Sequence, residues 1–234
     1  MSTANPIFSK DLLSWEPVKV LTAKKQLCQC NVGPTASILS SRHVDDLHIA
    51  TLELSMVDIL HDYHNSVLLF YEMPPAIQDT DASVEPSRRL QQALEEMLTH
   101  YPCAAGLLVY NETADCPEVR YPVCGHTHSA CSCDKSQIPA HYGVHFYVAH
   151  ASVTLSELGD VSNPQPPLDL LYPSKPIQHL DDKGHPFPRF VMAFQVTTFV
   201  CGGFTLGHTC SHAYADGYTG AAFLQNLCAI AHTF

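Results

Sequence analysis

Basic residues are scarce in this chain: 12 Lys and Arg stand against 23 Asp and Glu over 234 residues, a formal net charge of −11. Nucleic acid and anionic membrane surfaces both need a basic face, so neither is expected as the main partner. A phosphate-bearing cofactor held by a few local Lys or Arg remains compatible with that balance. Long apolar runs are missing too. No stretch approaches the roughly 18 apolar residues of a membrane span. The opening MSTANPIFSKDLLSWEPVKV has neither the basic start nor the apolar run of a secretory signal. The expectation is a cytoplasmic protein, with its ten cysteines mostly reduced rather than paired as disulfides. Internal repeats and low-complexity tracts are also lacking. What is there, 46% apolar and 15% charged residues, fits a globular chain of one large domain or two small ones.

The chain then alternates strand and helix signals. One short strand candidate falls at 17–21. SVLLFYEM (66–73), an apolar run with aromatics before Pro-Pro, predicts a buried strand. PSRRLQQALEEMLTHYP (86–102) sets Leu90, Ala93, Leu94, Met97 and Tyr101 at helical spacing between two prolines, an amphipathic helix. GVHFYVAHASVTL (143–155) is strand-like. From Val161 to Arg189 the chain carries seven prolines, which predicts an irregular connection over the surface. RFVMAFQVTTFV (189–200) and FTLGHTCSH (204–212) are strands joined by a Gly202-Gly203 turn suited to positive φ. DGYTGAAFLQNLCAIA (216–231) has a helical period.

Between the last strand and the last helix lies SHAYADG (211–217), with His212 and Asp216 four positions apart and Gly217 directly after. With 15 His and 14 Asp in the chain, about one His-x-x-x-Asp arises by chance, so the motif alone decides nothing. Its setting says more. Phe204, Leu206, His208, Cys210 and His212 alternate onto one face of the strand, so His212 projects from the side of an apolar row, at its end. A neutral imidazole there suits the acceptance of a proton from an alcohol or amine attacking a carbonyl. Asp216 can hold the loop by capping the helix or pairing with a cation. The bland alternative is a satisfied polar residue beside a helix cap. His208, about 13 Å from His212 along the strand, reads as local packing.

QVTTFVCGGFTLGHTCSHAYADG (195–217) resembles the active-site segment of the plant BAHD acyl-CoA-dependent acyltransferases, with its Gln-Val-Thr strand, Cys-Gly-Gly turn and Ser-His-x-x-x-Asp-Gly loop. LSMVD (54–58), LLFYEM (68–73), LQQALEEMLTHYPCAAG (90–106) and VTLSELGD (153–160) resemble further family segments, in family order. The resemblance implies an α/β fold of the chloramphenicol-acetyltransferase (CoA-dependent acyltransferase) type, its N-terminal domain a mixed sheet with flanking helices. It implies acyl-CoA as co-substrate, no permanently bound cofactor, and a small alcohol or amine as acceptor. His212 would be the general base, Asp216 and Gly217 structural. Condensation domains of peptide synthetases share this fold but favour a second His where Ser211 stands.

The chain also departs from the family. It carries no Asp-Phe-Gly-Trp-Gly motif, so residues 1–234 are expected to be the N-terminal domain, lacking the C-terminal domain that completes the channel. A truncated, catalytically silent scaffold or binding module is the alternative expectation. YPCAAGLL has Ala105 and Gly106 where the family usually has Gly and often has Arg, which predicts a reshaped turn. Residues 121–143 hold an atypical Cys/His-rich insertion with Cys124, His126, His128, Cys131 and Cys133. These are weak metal candidates, because Cys-x-His-x-His-x-x-Cys-x-Cys is not a standard zinc spacing.

Overall fold

The computed structural model describes residues 48–72, 86–123, 142–158, 168–173, 184 and 188–233. Two four-stranded sheets form its frame. The first, in the order β1-β4-β3-β6, is antiparallel: β1 is His48–Glu53, β3 Leu107–Asn111, β4 Cys116–Val123 and β6 Arg189–Phe190. The second, in the order β2-β8-β7-β5, is mixed: β2 (His64–Tyr71), β8 (Phe204–Ser211) and β7 (Met192–Phe199) pair antiparallel, and β5 (His145–Ala151) runs parallel to β7. The short helix α1 (Met56–Leu60) precedes β2. Among the described residues no helix is long and apolar enough to cross a membrane.

Two helices cover one face of the mixed sheet. Helix α2 (Pro86–His100) starts on a proline, whose missing N–H is one of the four a helix start leaves unbonded anyway. Its spacing buries Leu90, Ala93, Leu94, Met97 and Leu98. Each large side chain there contributes about 1.5–3 kcal/mol relative to exposure. Helix α3 (Gly217–Ala231) buries Phe223, Leu224 and Leu227 in the same core, against Phe194, Val196, Leu206 and Cys210 of β7 and β8. The sequence period of α3 includes Ala221 and Cys228, but those two face a cavity instead.

The opposite face of β7 and β8 is also covered, which corrects the expectation for the proline-rich connection. Of its described residues Gly184 and Pro188 are exposed as expected, but 168–173 is no surface strap: the 3-10 turn Leu168–Leu171 packs Leu171 into a second core with Ala151, Leu158 and Phe199. The carbonyls do the docking. Gln195 Nε2 donates to Leu170 O at 2.8 Å and the Thr209 hydroxyl donates to Pro173 O at 3.3 Å. Proline lacks a donor but keeps its acceptor, so a proline-rich segment can still bond a sheet face. Gly207 of β8 permits this approach, because a Cβ there would run into the Leu171 carbonyl.

Other sequence expectations shift by less. β2 is not a buried strand but an edge strand, with Val67 41% exposed. The β7–β8 turn uses positive φ at Gly202 alone, while Gly203 is needed for space beside Leu155 and the Tyr71 carbonyl. YPCAAG folds as a 3-10 turn, Pro102–Ala105, leading into β3. Residues 121–123 of the expected insertion belong to β4, and Tyr142 is buried. The 17–21 strand candidate and residues 124–141 lie outside the described residues.

Candidate active site

β8 ends at Ser211, and His212 is the first residue of the turn that follows. The turn is tight because the Ser211 carbonyl accepts from both Tyr214 N and Ala215 N at 3.1 Å. Ala213 and Ala215 are buried, and burial pushes the Tyr214 phenol well above its usual range. The backbone of His212 is fixed from the neighbouring strand: its N–H donates to the Tyr63 carbonyl at 2.7 Å. Its ring is half-buried and lies 4.8 Å from the Tyr63 ring and 5.2 Å from that of His61, centroid to centroid. Among the described residues its ring nitrogens make no hydrogen bond, which leaves them open to a substrate.

Asp216 does not hold that ring. It is the N-cap of α3, in extended conformation, and its Oδ1 accepts from Thr219 N at 2.7 Å. That bond, with a smaller pull from His212, holds its carboxyl below the usual range. The cap satisfies a backbone N–H that the helix itself cannot bond. Gly217 opens the helix with open space where a Cβ would sit.

Beside the loop, between the β2–β8 face and α3, lies a cavity of about 390 Å³. Asp216 and Gly217 lie at one end; Val67, Leu69, Ala221 and Leu224 form apolar walls. His208 and Cys210 also line it. Burial lowers the His208 imidazole to about 4 and raises the Cys210 thiol to about 12, so both are neutral at pH 7. His208 stacks on Phe194 at 4.7 Å. His212 is not among the residues lining this cavity; it sits past the end of the covered strand, on the Tyr63 side.

Sequence reasoning missed His61 and Tyr63. The one signal for Tyr63 is register: β2 and β8 pair His64 with Ser211, so the preceding residue falls opposite His212. Both residues ride on a segment pinned by Arg189, which is 5% exposed and donates from Nη2 to Asp62 Oδ2 at 2.7 Å. The described residues contain no group of three or more His, Cys, Asp or Glu able to hold a metal. Cys124, His126, His128, Cys131 and Cys133 lie outside the described residues. The five described cysteines are free thiols.

A family model described as "Transferase family" matches residues 34–233. The chain belongs to this family, the BAHD acyltransferases. Among curated BAHD relatives, taxadien-5-alpha-ol O-acetyltransferase of Taxus chinensis is 33% identical over 184 residues, covering 77% of this chain and 36% of the relative. Spermidine coumaroyl-CoA acyltransferase of Arabidopsis thaliana is 30% identical over 202 residues, covering 85% of this chain and 37% of the relative. The chain thus spans a little over a third of the length of these relatives. Among solved structures, vinorine synthase shares the fold at a TM-score of 0.56 and 23% identity, covering 86% of this chain and 41% of that one. The fold is the α/β fold of CoA-dependent acyltransferases.

Proposed function

We propose that this BAHD chain takes part in moving an acyl group from acyl-CoA to a hydroxyl or amine of a small specialised metabolite, with His212 as the general base. The observation that carries the reading is the placement of His212: it leaves a buried strand at a turn where its backbone is fixed and its ring nitrogens are open. In the reaction the imidazole takes the proton of the acceptor O–H or N–H as that atom attacks the thioester carbonyl. The tetrahedral oxyanion collapses, the C–S bond breaks, and the imidazolium returns the proton to the thiolate, releasing CoA. Asp216 keeps the loop in place by capping α3 and does not touch substrate. The cavity beside it suits an uncharged group against its apolar walls.

The names of the relatives pair acetyl transfer to an alcohol in one case with a coumaroyl-CoA donor and spermidine in the other. Both O- and N-acylation are therefore compatible with this reading. Completion of the channel by a second domain, from residues other than these 234, and a cytoplasmic location belong to the same proposal. The test is thiol release from acetyl-CoA and coumaroyl-CoA against a panel of terpenoid alcohols and polyamines, with the protein in its full domain complement. His212→Ala is expected to lose about 10²–10⁴-fold in rate. Full transfer by that variant would sink the reading.

A second reading, a binding module without turnover, is favoured by the apolar side chains near the site: Met56, Val57, Leu60 and Tyr218 are 74%, 65%, 76% and 84% exposed. It predicts self-association of the 234-residue chain. A clean monomer by light scattering at high concentration counts against it.

A further inference from the structure

A general base works at full rate only when its nitrogen is held toward the proton it takes. A carboxylate or carbonyl on the other ring nitrogen is the usual holder. Around His212 none of the described residues plays that part. Asp216 commits its Oδ1 to Thr219 N, and the imidazole meets rings instead.

Tyr63 leans on the His212 ring at 4.8 Å and 30°, and His61 at 5.2 Å and 34°. The His61 and Tyr63 rings are themselves 6.2 Å apart, edge-on at 60°. Those separations make a triangle rather than a sandwich, so the imidazole is restrained from two directions that do not lie on one line. Both rings are exposed, Tyr63 at 47%, but the main chain of one and the ring of the other are tied down. The Tyr63 carbonyl accepts the His212 N–H at 2.7 Å, which fixes the two Cα positions opposite each other. His61 Nδ1 lies 2.7 Å from the Val57 carbonyl. A carbonyl only accepts, so His61 Nδ1 carries a hydrogen and that ring cannot spin freely. Asp62, between the two, is held by the buried Arg189.

We propose that Tyr63 and His61 are positioning residues for His212, a three-ring cluster that orients the imidazole where a carboxylate does so in other enzymes. The proposal rests on the reading of His212 as the base. Tilted ring contacts of this kind favour some ring orientations over others and use neither ring nitrogen. The backbone bond survives any side-chain substitution at Tyr63, so ring and main-chain contributions separate cleanly.

The test begins on the 234-residue chain with labelled histidine, reading the mobility of the His212 ring by carbon relaxation. Tyr63→Leu is expected to drop the ring's order parameter from the range of rigid groups, near 0.85, to below about 0.6. Tyr63→Phe keeps the ring and should restore the order; His61→Leu should give a smaller drop. In the transfer assay, Tyr63→Leu should lower kcat by about ten- to a hundredfold with KM little changed, and Tyr63→Phe should recover it. Unchanged ring order in Tyr63→Leu overturns the proposal, and so does a loss of kcat that Tyr63→Phe fails to recover. A purely structural role would lower the melting temperature without loosening the imidazole. If His212→Ala keeps full transfer while Tyr63→Leu still frees the ring, the base assignment fails and the cluster stands as a feature of the fold alone.

Discussion

His208 lies within β8 and His212 just past its end, four residues apart, and their surroundings are opposite. His208 is 3% exposed, stacked on Phe194, and kept neutral by burial, with its Nε2 unpartnered among the described residues. His212 is half-buried beside Tyr63 and His61, its ring nitrogens without a hydrogen bond among the described residues. The two differ because of where cover ends. Helix α3 packs over the strand at His208, and the chain turns away at Ser211, so the last side chain of the row emerges beside the loop. Identical side chains four residues apart thus yield a core ring within the strand and a candidate base just past its end.

The sharpest way to break that contrast is to truncate each ring. His212→Ala should cut transfer by about 10²–10⁴-fold and change the melting temperature little, since the backbone bond to Tyr63 remains. His208→Ala should act first on stability, because it removes the ring that stacks on Phe194 and enlarges the cavity that His208 lines. Thermal melts run beside the transfer assay separate the two. Equal stability losses in both variants would mean that His212 is a core residue too.

Next in size is the pin behind the half-buried histidine. Arg189→Met leaves Asp62 without its partner and should destabilise the fold by about 3 kcal/mol, as breaking a buried pair does. It should also loosen the His212 ring, which the same relaxation measurement reads. A melt unchanged from wild type would show the pair to be incidental.

The buried histidine has its own signature in acid. Its folded value, about 4, lies below the ordinary 6.5, so between those two pH values the unfolded chain binds a proton that the folded chain does not. Its contribution to stability is complete above pH 6.5 and is lost as the pH falls toward 4. The loss is on the order of 2–3 kcal/mol. Melting temperature against pH should therefore fall more steeply for wild type than for His208→Leu in that window. Parallel curves would refute the buried-neutral assignment.

Much of this contrast was legible before any coordinates. β7, β8 and α3 announce themselves through apolar runs, the Gly202-Gly203 turn and the helical period. The turn and the helix cap of the His212 loop lie within two adjoining elements, so local pattern suffices for those. Other parts resist local reading. β4 carries Pro117 and Pro122 and pairs on both sides in its sheet, where prolines argue against a strand. The proline-rich segment docks through its carbonyls, a property that composition does not reveal. His61 and Tyr63 meet His212 only through the pairing of β2 with β8, a contact some 150 residues distant in the chain.

The smallest expected effect concerns Asp216, whose two possible jobs, capping α3 and attending His212, predict different orders of damage. If the cap dominates, Asp216→Asn should be nearly harmless, since Asn accepts the same bond from Thr219 N, whereas Asp216→Ala should lower the melting temperature by a few degrees. The charge adds a further part through the helix dipole, which Asn gives up. The hydrogen bond from Thr219 holds the folded carboxyl below its ordinary 3.8. The contribution of the charge is therefore complete above that pH and disappears as the pH falls through the folded value. The gap between wild type and Asp216→Asn should close in acid, while the gap to Asp216→Ala should persist in part, because Ala has no acceptor at any pH. Should Asp216→Asn instead cost transfer activity as heavily as His212→Ala at unchanged stability, the carboxylate would be acting on the imidazole, and the three-ring cluster would no longer be needed to explain how that base is held.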